Sequence, residues 1–292
     1  MAVIGIMSAM HEELAAVLAQ MPDEQRVSVA GRDFWVGHWH GHTVVAVLSR
    51  IGKVAAATTA TVLLERFQVN TLVFTGVAGG LGLDVRVGDV VVATGLVQHD
   101  MDASPLFPRH EVPLYGRARF EADATLVAQL ASATQQVLGD AERYLGLETL
   151  AQFHLSRPQT HQGLVISGDR FVATSTESHV LRQALPDALA VEMEGAAVAQ
   201  VCHDYGVPFA AVRTAPVSSV SRTQLISPVG CSTESSLRAP SGIAATSAAG
   251  EPGIRHAVAT LTAPSTPMVA CARWGMKLRT VTAPPCFGGA TS

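Results

Sequence analysis

The 292-residue chain is 48% hydrophobic, 15% charged and 5% aromatic, enough apolar material for a substantial core and incompatible with wholesale disorder. Its 20 Lys and Arg against 24 Asp and Glu leave a formal net charge of −4, so it lacks the basic excess of a dedicated nucleic-acid binder. No apolar run reaches the ~18 residues of a membrane helix, and four cysteines without a Cys-x-x-Cys pair suit neither a disulfide framework nor a zinc site. The expectation is a soluble cytoplasmic protein with no membrane or nucleic-acid partner.

In chain order, Val3–Met7 is a short apolar run that predicts a buried first strand. Ser8 is placed to cap the next helix, with Glu12 and Glu13 near its first turn and Leu14, Val17, Leu18 and Met21 at helical spacing before Pro22. Phe34–Trp39 and Thr43–Leu48 alternate around Gly41-His42, a hairpin signal. Gly52 precedes an Ala- and Leu-rich helix over about Lys53–Phe67, and Thr71–Thr75 is a strand running into Gly76-Val77-Ala78-Gly79-Gly80. Further strands are expected at Asp89–Ala93, Gly163–Ser167, Ala190–Met193 and Pro208–Thr214. Helices are expected at Thr125–Leu138, Glu177–Leu185 and Glu194–Tyr205. Prolines at 105, 108 and 113 make Met101–Gly116 a long surface loop or flap. Strands separated by helices predict an α/β fold with a mainly parallel sheet covered on both faces.

The character of the chain changes after Thr214. The segment 215–292 contains 8 Pro, 11 Ser, 9 Thr and 3 Cys, with six Lys and Arg against only Glu234 and Glu251. The domain reading is therefore an α/β domain over residues 1–214, its C-terminal part missing or replaced, and a Pro/Ser/Thr-rich tail over 215–292 that is disordered or frame-shifted.

Several constellations suggest chemistry. The run Gly76–Gly82 closes a strand and fits either a structural turn or a loop that a ligand approaches closely. It is neither a Gly-x-Gly-x-x-Gly nor a phosphate-binding P-loop. Glu192 and Glu194 sit between a strand and a helix, where ligands bind in open α/β sheets. Glu194 would accept hydrogen bonds from sugar hydroxyls, unless both acids only complement the helix dipole. Glu13, after the first strand, is a general base toward water or an ordinary first-turn carboxylate. Phe171, after another strand, stacks on a flat ring or fills the core. His38, His40 and His42 share one strand face at period two, but no carboxylate accompanies them and no metal is assigned. Cys202-His203-Asp204 lies on a helix, where consecutive residues diverge, and is not a triad.

Six segments recur in one order: Gly5-Ile6-Met7-Ser8-Ala9-Met10-His11-Glu12-Glu13, Ile51-Gly52-Lys53-Val54, Thr75–Gly80, Val87-Gly88-Asp89-Val90, Ile166-Ser167-Gly168-Asp169-Arg170-Phe171 and Val191-Glu192-Met193-Glu194. Together they resemble the 5′-methylthioadenosine/S-adenosylhomocysteine nucleosidases of the purine nucleoside phosphorylase superfamily, over residues 1–214. The resemblance implies a three-layer α/β/α fold around a mixed sheet, a homodimer, and cofactor-free hydrolysis of the N-glycosidic bond between adenine and a 5′-substituted ribose. It further implies that Glu13 activates the attacking water and that Val77, Ala78 and Gly79 lie beneath the nucleoside. Phe171 would stack on adenine and Val172 would contact the base through its backbone. Met193 and Glu194 would hold the ribose.

The resemblance stops where the composition changes. The family supplies the acid that protonates the leaving adenine from an Ile-Ser-Asp segment after the last strand, and here Val217 stands at the aspartate position. A reading-frame shift near the Thr214 codon would explain the lost acid, the lost closing helix and the altered composition together, and it predicts impaired turnover. Three other functions share these residues. A phosphorylase of the same fold would need a phosphate pocket, toward which Arg50 is one element. A catalytically dead nucleoside-binding protein would keep Phe171, Met193 and Glu194. The third is hydrolysis of 6-amino-6-deoxyfutalosine.

Overall fold

The computed structural model describes residues 2–215. The elements are β1 (Val3–Ser8), α1 (His11–Leu18), β2 (Gln25–Val29), β3 (Arg32–Trp39), β4 (His42–Leu48), α2 (Lys53–Phe67), β5 (Thr71–Val77), β6 (Gly79–Gly80), β7 (Val90–Gln98) and β8 (Arg119–Glu121). They continue with α3 (Ala124–Gly139), α4 (Ala141–Leu145), α5 (Leu147–Gln152), β9 (Thr160–Ser167), α6 (Ser175–Ala184), β10 (Ala188–Glu192), α7 (Gly195–Tyr205) and β11 (Phe209–Thr214). The expectations for the tail, Val217 included, lie outside the described residues. Ala215 still belongs to the fold: it is buried, its amide donates to Asp89 and its carbonyl accepts from Gly88.

The strands form one sheet in the order β2-β3-β4-β1-β5-β11-β7-β9-β10-β6, with β8 paired to β7. β4, β1, β5 and β11 run parallel to one another, as do β7, β9 and β10. The junction β11–β7 is antiparallel, so the sheet is mixed. After Ala78, β5 continues as β6, which pairs with β10 at Gly79↔Val191. The ladder β5–β11–β7–β9–β10–β6 therefore returns to its own chain, and this closure brings the C-terminal end of β10 beside the C-terminal end of β5.

Alternation along the strands sets the layers. Val45, Val47, Val91, Ala93, Ala211 and Ala190 point to the face packed by Ala56, Ala60 and Leu63 of α2 and Ala196, Ala199 and Cys202 of α7. On the other face, Ile4, Ile6, Val44 and Ala46 meet Leu14 and Val17 of α1, while Val90, Val92, Ala210 and Val212 meet Leu126, Leu130 and Ala131 of α3. Leu164, Ile166 and Ala188 receive Leu181 of α6 on that same side. The result is an α/β/α sandwich, and strands buried on both faces explain their near-continuous apolar sequences.

The structure revises several local expectations. Ser8 does not cap α1: it is buried at the end of β1, its hydroxyl 3.0 Å from that of Thr75, and Met10 holds the N-cap position. The β3–β4 turn is His40-Gly41, both with positive φ and flanked by the pair Trp39↔His42, because a two-residue turn with left-handed geometry matches the twist of the strands. This turn takes His40 out of strand alternation, and His38 instead meets Asp23 at 2.8 Å, a carboxylate from outside its own hairpin. Asp89 lies just outside β7, accepting from Arg86, Gln159 and His161. Met101–Gly116 is a loop with a single bridge, Val112↔Arg117, and Val112 is buried in the core. β2, β6, β8, α4 and α5 were not anticipated. They are short or largely exposed, so they carry little apolar periodicity.

Candidate active site

Glu13 is the third residue of α1 and is buried. One carboxylate oxygen accepts from the amides of Ala9 (2.9 Å) and Met10 (3.0 Å), which closes the helix N-terminus. The other oxygen accepts from the Val77 amide at the end of β5, at 3.1 Å. Gly76 makes this approach possible, since a β-carbon there would lie 3.3 Å from both Glu13 oxygens. Burial pushes the carboxyl above its ordinary value, although the three amides and the charge of Arg213 pull the other way. Glu13 is thus both a first-turn carboxylate and a group that ties the start of α1 to the end of β5.

Glu192 and Glu194 stand two residues apart but differ in their surroundings. Glu192 accepts from the amides of Gly195 (2.8 Å) and Glu194 (3.3 Å), from the Ser167 hydroxyl and from the Arg213 guanidinium at 2.8 Å. It completes the N-terminus of α7, and its partners leave it little capacity for a ligand. Glu194 is buried, and its carboxylate accepts from the amide of Gly52 at 2.9 Å and from the backbone of Met193. Burial, reinforced by the charge of Glu192, pushes its carboxyl up to about 7. The helix-dipole alternative therefore fits Glu192, and Glu194 is the carboxylate available for hydroxyl recognition.

Arg213 was not singled out from the sequence. It is almost fully buried on β11, donates to the carbonyls of Phe74 and Val212, and lies 4.2 Å from the Phe74 ring centroid. Its charge is felt by Glu13, Glu192 and Glu194. The one available signal was an arginine inside an otherwise apolar strand, which requires a buried counter-charge.

The other expected residues lie at the end of β5, after β10 and on the loop after β9. Val77 gives its amide to Glu13, Ala78 is buried with its amide on Thr214 (3.1 Å), and Gly79 pairs with Val191 beside Met193 and Glu194. Met193 is half-buried between the two glutamates in sequence. Phe171, on the loop after β9, is 70% exposed, which overturns the core alternative. Val172 is half-buried against the cluster of Leu164 and Ile166. Among the described residues no group of three His, Cys, Asp or Glu is arranged to hold a metal.

Comparison with known proteins bears on this arrangement. Residues 3–219 match the model of the Phosphorylase superfamily. A 5′-methylthioadenosine/S-adenosylhomocysteine nucleosidase of Marinomonas sp. is 38% identical over 215 residues, 73% of this chain and 85% of that protein. The chain belongs to the 5′-methylthioadenosine/S-adenosylhomocysteine nucleosidase family. The nucleosidase of Neisseria meningitidis, solved in complex with methylthio-immucillin-A, superposes with a TM-score of 0.70 at 28% identity, covering 94% of this chain and 99% of that one. A Helicobacter pylori nucleosidase, solved as an aspartate-to-asparagine variant with 5′-methylthioadenosine in its active site, gives a TM-score of 0.62 at 32% identity, covering 74% and 85%. Membership in this nucleosidase family accounts for the order of the six sequence segments.

Proposed function

We propose that this chain is built to hydrolyse the N-glycosidic bond of 5′-methylthioadenosine, S-adenosylhomocysteine and related 5′-substituted adenosines, giving adenine and the 5′-substituted ribose. The observation that carries the reading is a pair of buried carboxylates with raised affinity for a proton, Glu13, held by the Val77 amide at the end of β5, and Glu194, which follows the strand β10 that pairs with β6 just beyond β5. Breaking the bond builds positive charge on the sugar, as in an oxocarbenium ion. Glu13 orients a water toward C1′ and takes its proton as the C–O bond forms. Glu194 accepts hydrogen bonds from the ribose hydroxyls and balances the developing charge. Val77, Ala78 and Gly79 floor the nucleoside, Met193 packs on the ribose, Phe171 stacks on adenine, and the Val172 backbone contacts the base. No cofactor enters this scheme.

The departing adenine takes a proton at N7, and Val217 cannot donate one. The reading therefore includes impaired turnover, slower by about 10²- to 10⁴-fold than with an acid in place. A nucleoside-binding protein without catalysis is the second reading, favoured by that same residue. A phosphorylase is disfavoured: Arg213 is committed to Glu192, and Arg50 donates to the Gly31 carbonyl. The 215–292 tail fits a reading-frame shift near the Thr214 codon. A second copy of the chain is the expected partner, since Ile51, Val54, Leu106 and Leu114 leave apolar surface exposed. No helix among the described residues is long and apolar enough to cross a membrane, and a cytoplasmic location is part of the proposal.

The test combines calorimetry using 5′-methylthiotubercidin with adenine release from 5′-methylthioadenosine. Saturable binding with slow release is expected, and restoring the other reading frame from the Thr214 codon is expected to raise release. Absence of binding would refute the site. Release at the restored chain's rate by the chain as it stands would refute the impairment.

A further inference from the structure

Lys53, the first residue of α2, ties together three segments that flank the proposed nucleoside site. Its ammonium lies 2.6 Å from the Asp100 carboxylate, 3.2 Å from the side-chain carbonyl of Gln98 and 3.7 Å from Asp169. Its backbone amide donates to the other Asp169 oxygen at 2.8 Å. Asp169 returns its own amide to Asp100 at 2.9 Å, which closes a ring of charge-assisted bonds. The Lys53 side chain is only 15% exposed, so this ring is screened less than a surface pair. Burial raises the Asp100 carboxyl, but the Lys53 ammonium and the Asp169 amide more than offset it and hold the group below its ordinary value.

The placement of the ring matters more than its strength. Two successive amides at the start of α2 point to two different acids: Gly52 to Glu194, and Lys53 to Asp169. Glu194 is the ribose acceptor of the proposed function, and Asp169 precedes Phe171, its base-stacking residue, by two positions. The loop is anchored from below as well, since a β-carbon on Gly168 would lie 2.3 Å from the His99 ring. Gln98 carries the connection on to Gln200 of α7, the helix that Glu194 caps, at 2.8 Å. Phe171 itself is exposed, so its ring gains no fixed position from packing and depends on the loop behind it.

We propose that Lys53, through Asp100 and Asp169, is a positioning residue that sets the separation between the Phe171 loop and Glu194 to the span of a nucleoside. The inference rests on the proposed function. Lys53 touches neither base nor sugar in this scheme: it lowers the ordering cost that binding would otherwise incur in the loop.

The experiment is calorimetry of 5′-methylthiotubercidin with the full chain, Lys53→Met, Phe171→Ala and the double variant, together with thermal unfolding of each. Lys53→Met is expected to weaken binding about tenfold, a coupling within the range of networked residues. In the Phe171→Ala background the same change is expected to cost no more than about twofold, because the lysine acts through that loop. General damage to the fold would instead add fully in both backgrounds. An unchanged affinity for Lys53→Met, or full additivity, overturns the proposal. Failure of the unsubstituted chain to bind overturns the site reading, and the positioning role with it, and is seen before any variant is compared. Should Lys53→Met not fold, Asp100→Asn breaks the same ring without removing the lysine stem, and the same non-additivity is required of it.

Discussion

The guanidinium of Arg213 and the carboxylate of Glu192 meet at 2.8 Å with only 2% and 3% of their side chains exposed. The pair runs from β11 to the end of β10, across strands that the closed ladder brings face to face. It also leaves Glu194 as the less encumbered acid of its segment.

Replacing Arg213 with Met leaves Glu192 buried beside amides and a hydroxyl but without its counter-charge. Breaking a buried pair from one side costs about 3–5 kcal/mol. Urea unfolding at neutral pH is expected to show a loss of that size. Adding Glu192→Gln to Arg213→Met is expected to recover part of it, because the stranded charge is then removed.

Glu194 makes both stability and binding depend on pH. Its folded pKa of about 7 lies above the ordinary 4.5, so between those values the folded chain holds a proton that the unfolded chain has released. The sign follows: this group lowers stability as pH rises from about 4.5 to 7, by at most about 1.4 kcal/mol per pH unit. Affinity for 5′-methylthiotubercidin moves the opposite way, rising toward and levelling above pH 7, because ribose hydroxyls are accepted by the ionised form. Glu194→Gln is expected to flatten both profiles, measured by urea midpoints and calorimetry across pH 5–8.

Gly52 has φ of 94°, and a β-carbon there would stand 3.3 Å from an Asp169 oxygen. Gly52→Ala strains the backbone and crowds that carboxylate, at a cost of about 1–2 kcal/mol. Thermal unfolding should register the loss, and analogue binding should weaken more than for Ala substitution at Val54, which is 80% exposed on the same helix.

Glu13→Gln puts an amide NH₂ against a backbone donor whichever way it turns, because both carboxylate oxygens accept from amides. It also removes the proposed base toward water. Adenine release by the frame-restored chain is expected to fall about 10²- to 10⁴-fold. Analogue binding is expected to change far less, since in the proposed scheme Glu13 acts on the attacking water rather than on the ribose. Equal losses in both measurements would mean that Glu13 only holds the strand ends together.

Much of this architecture was legible in the chain. Val3–Met7, Lys53–Phe67 and Phe209–Thr214 announce themselves by buried apolar runs or helical composition. β6 was not legible, because two glycines carry no pattern; it exists because Val191 lies opposite. The helix α6 starts at Ser175, two residues before the expected Glu177, because Thr174 and Glu177 form a reciprocal cap that is itself present in the sequence.

The amino-acid order alone determined the alternation of strands and helices and the two-faced burial of the sheet. It also determined that acids would collect at strand ends. Which acid did what was decided only in three dimensions. Glu192 and Glu194 occupy one short segment between strand and helix, but Arg213 arrives from a strand paired elsewhere in the sheet and neutralises the first. The second is left with backbone donors, the Gly52 amide at the start of a helix 142 residues away and the Met193 amide beside it. Charge neutralisation in a buried site depends on what packs opposite, and no local pattern encodes that.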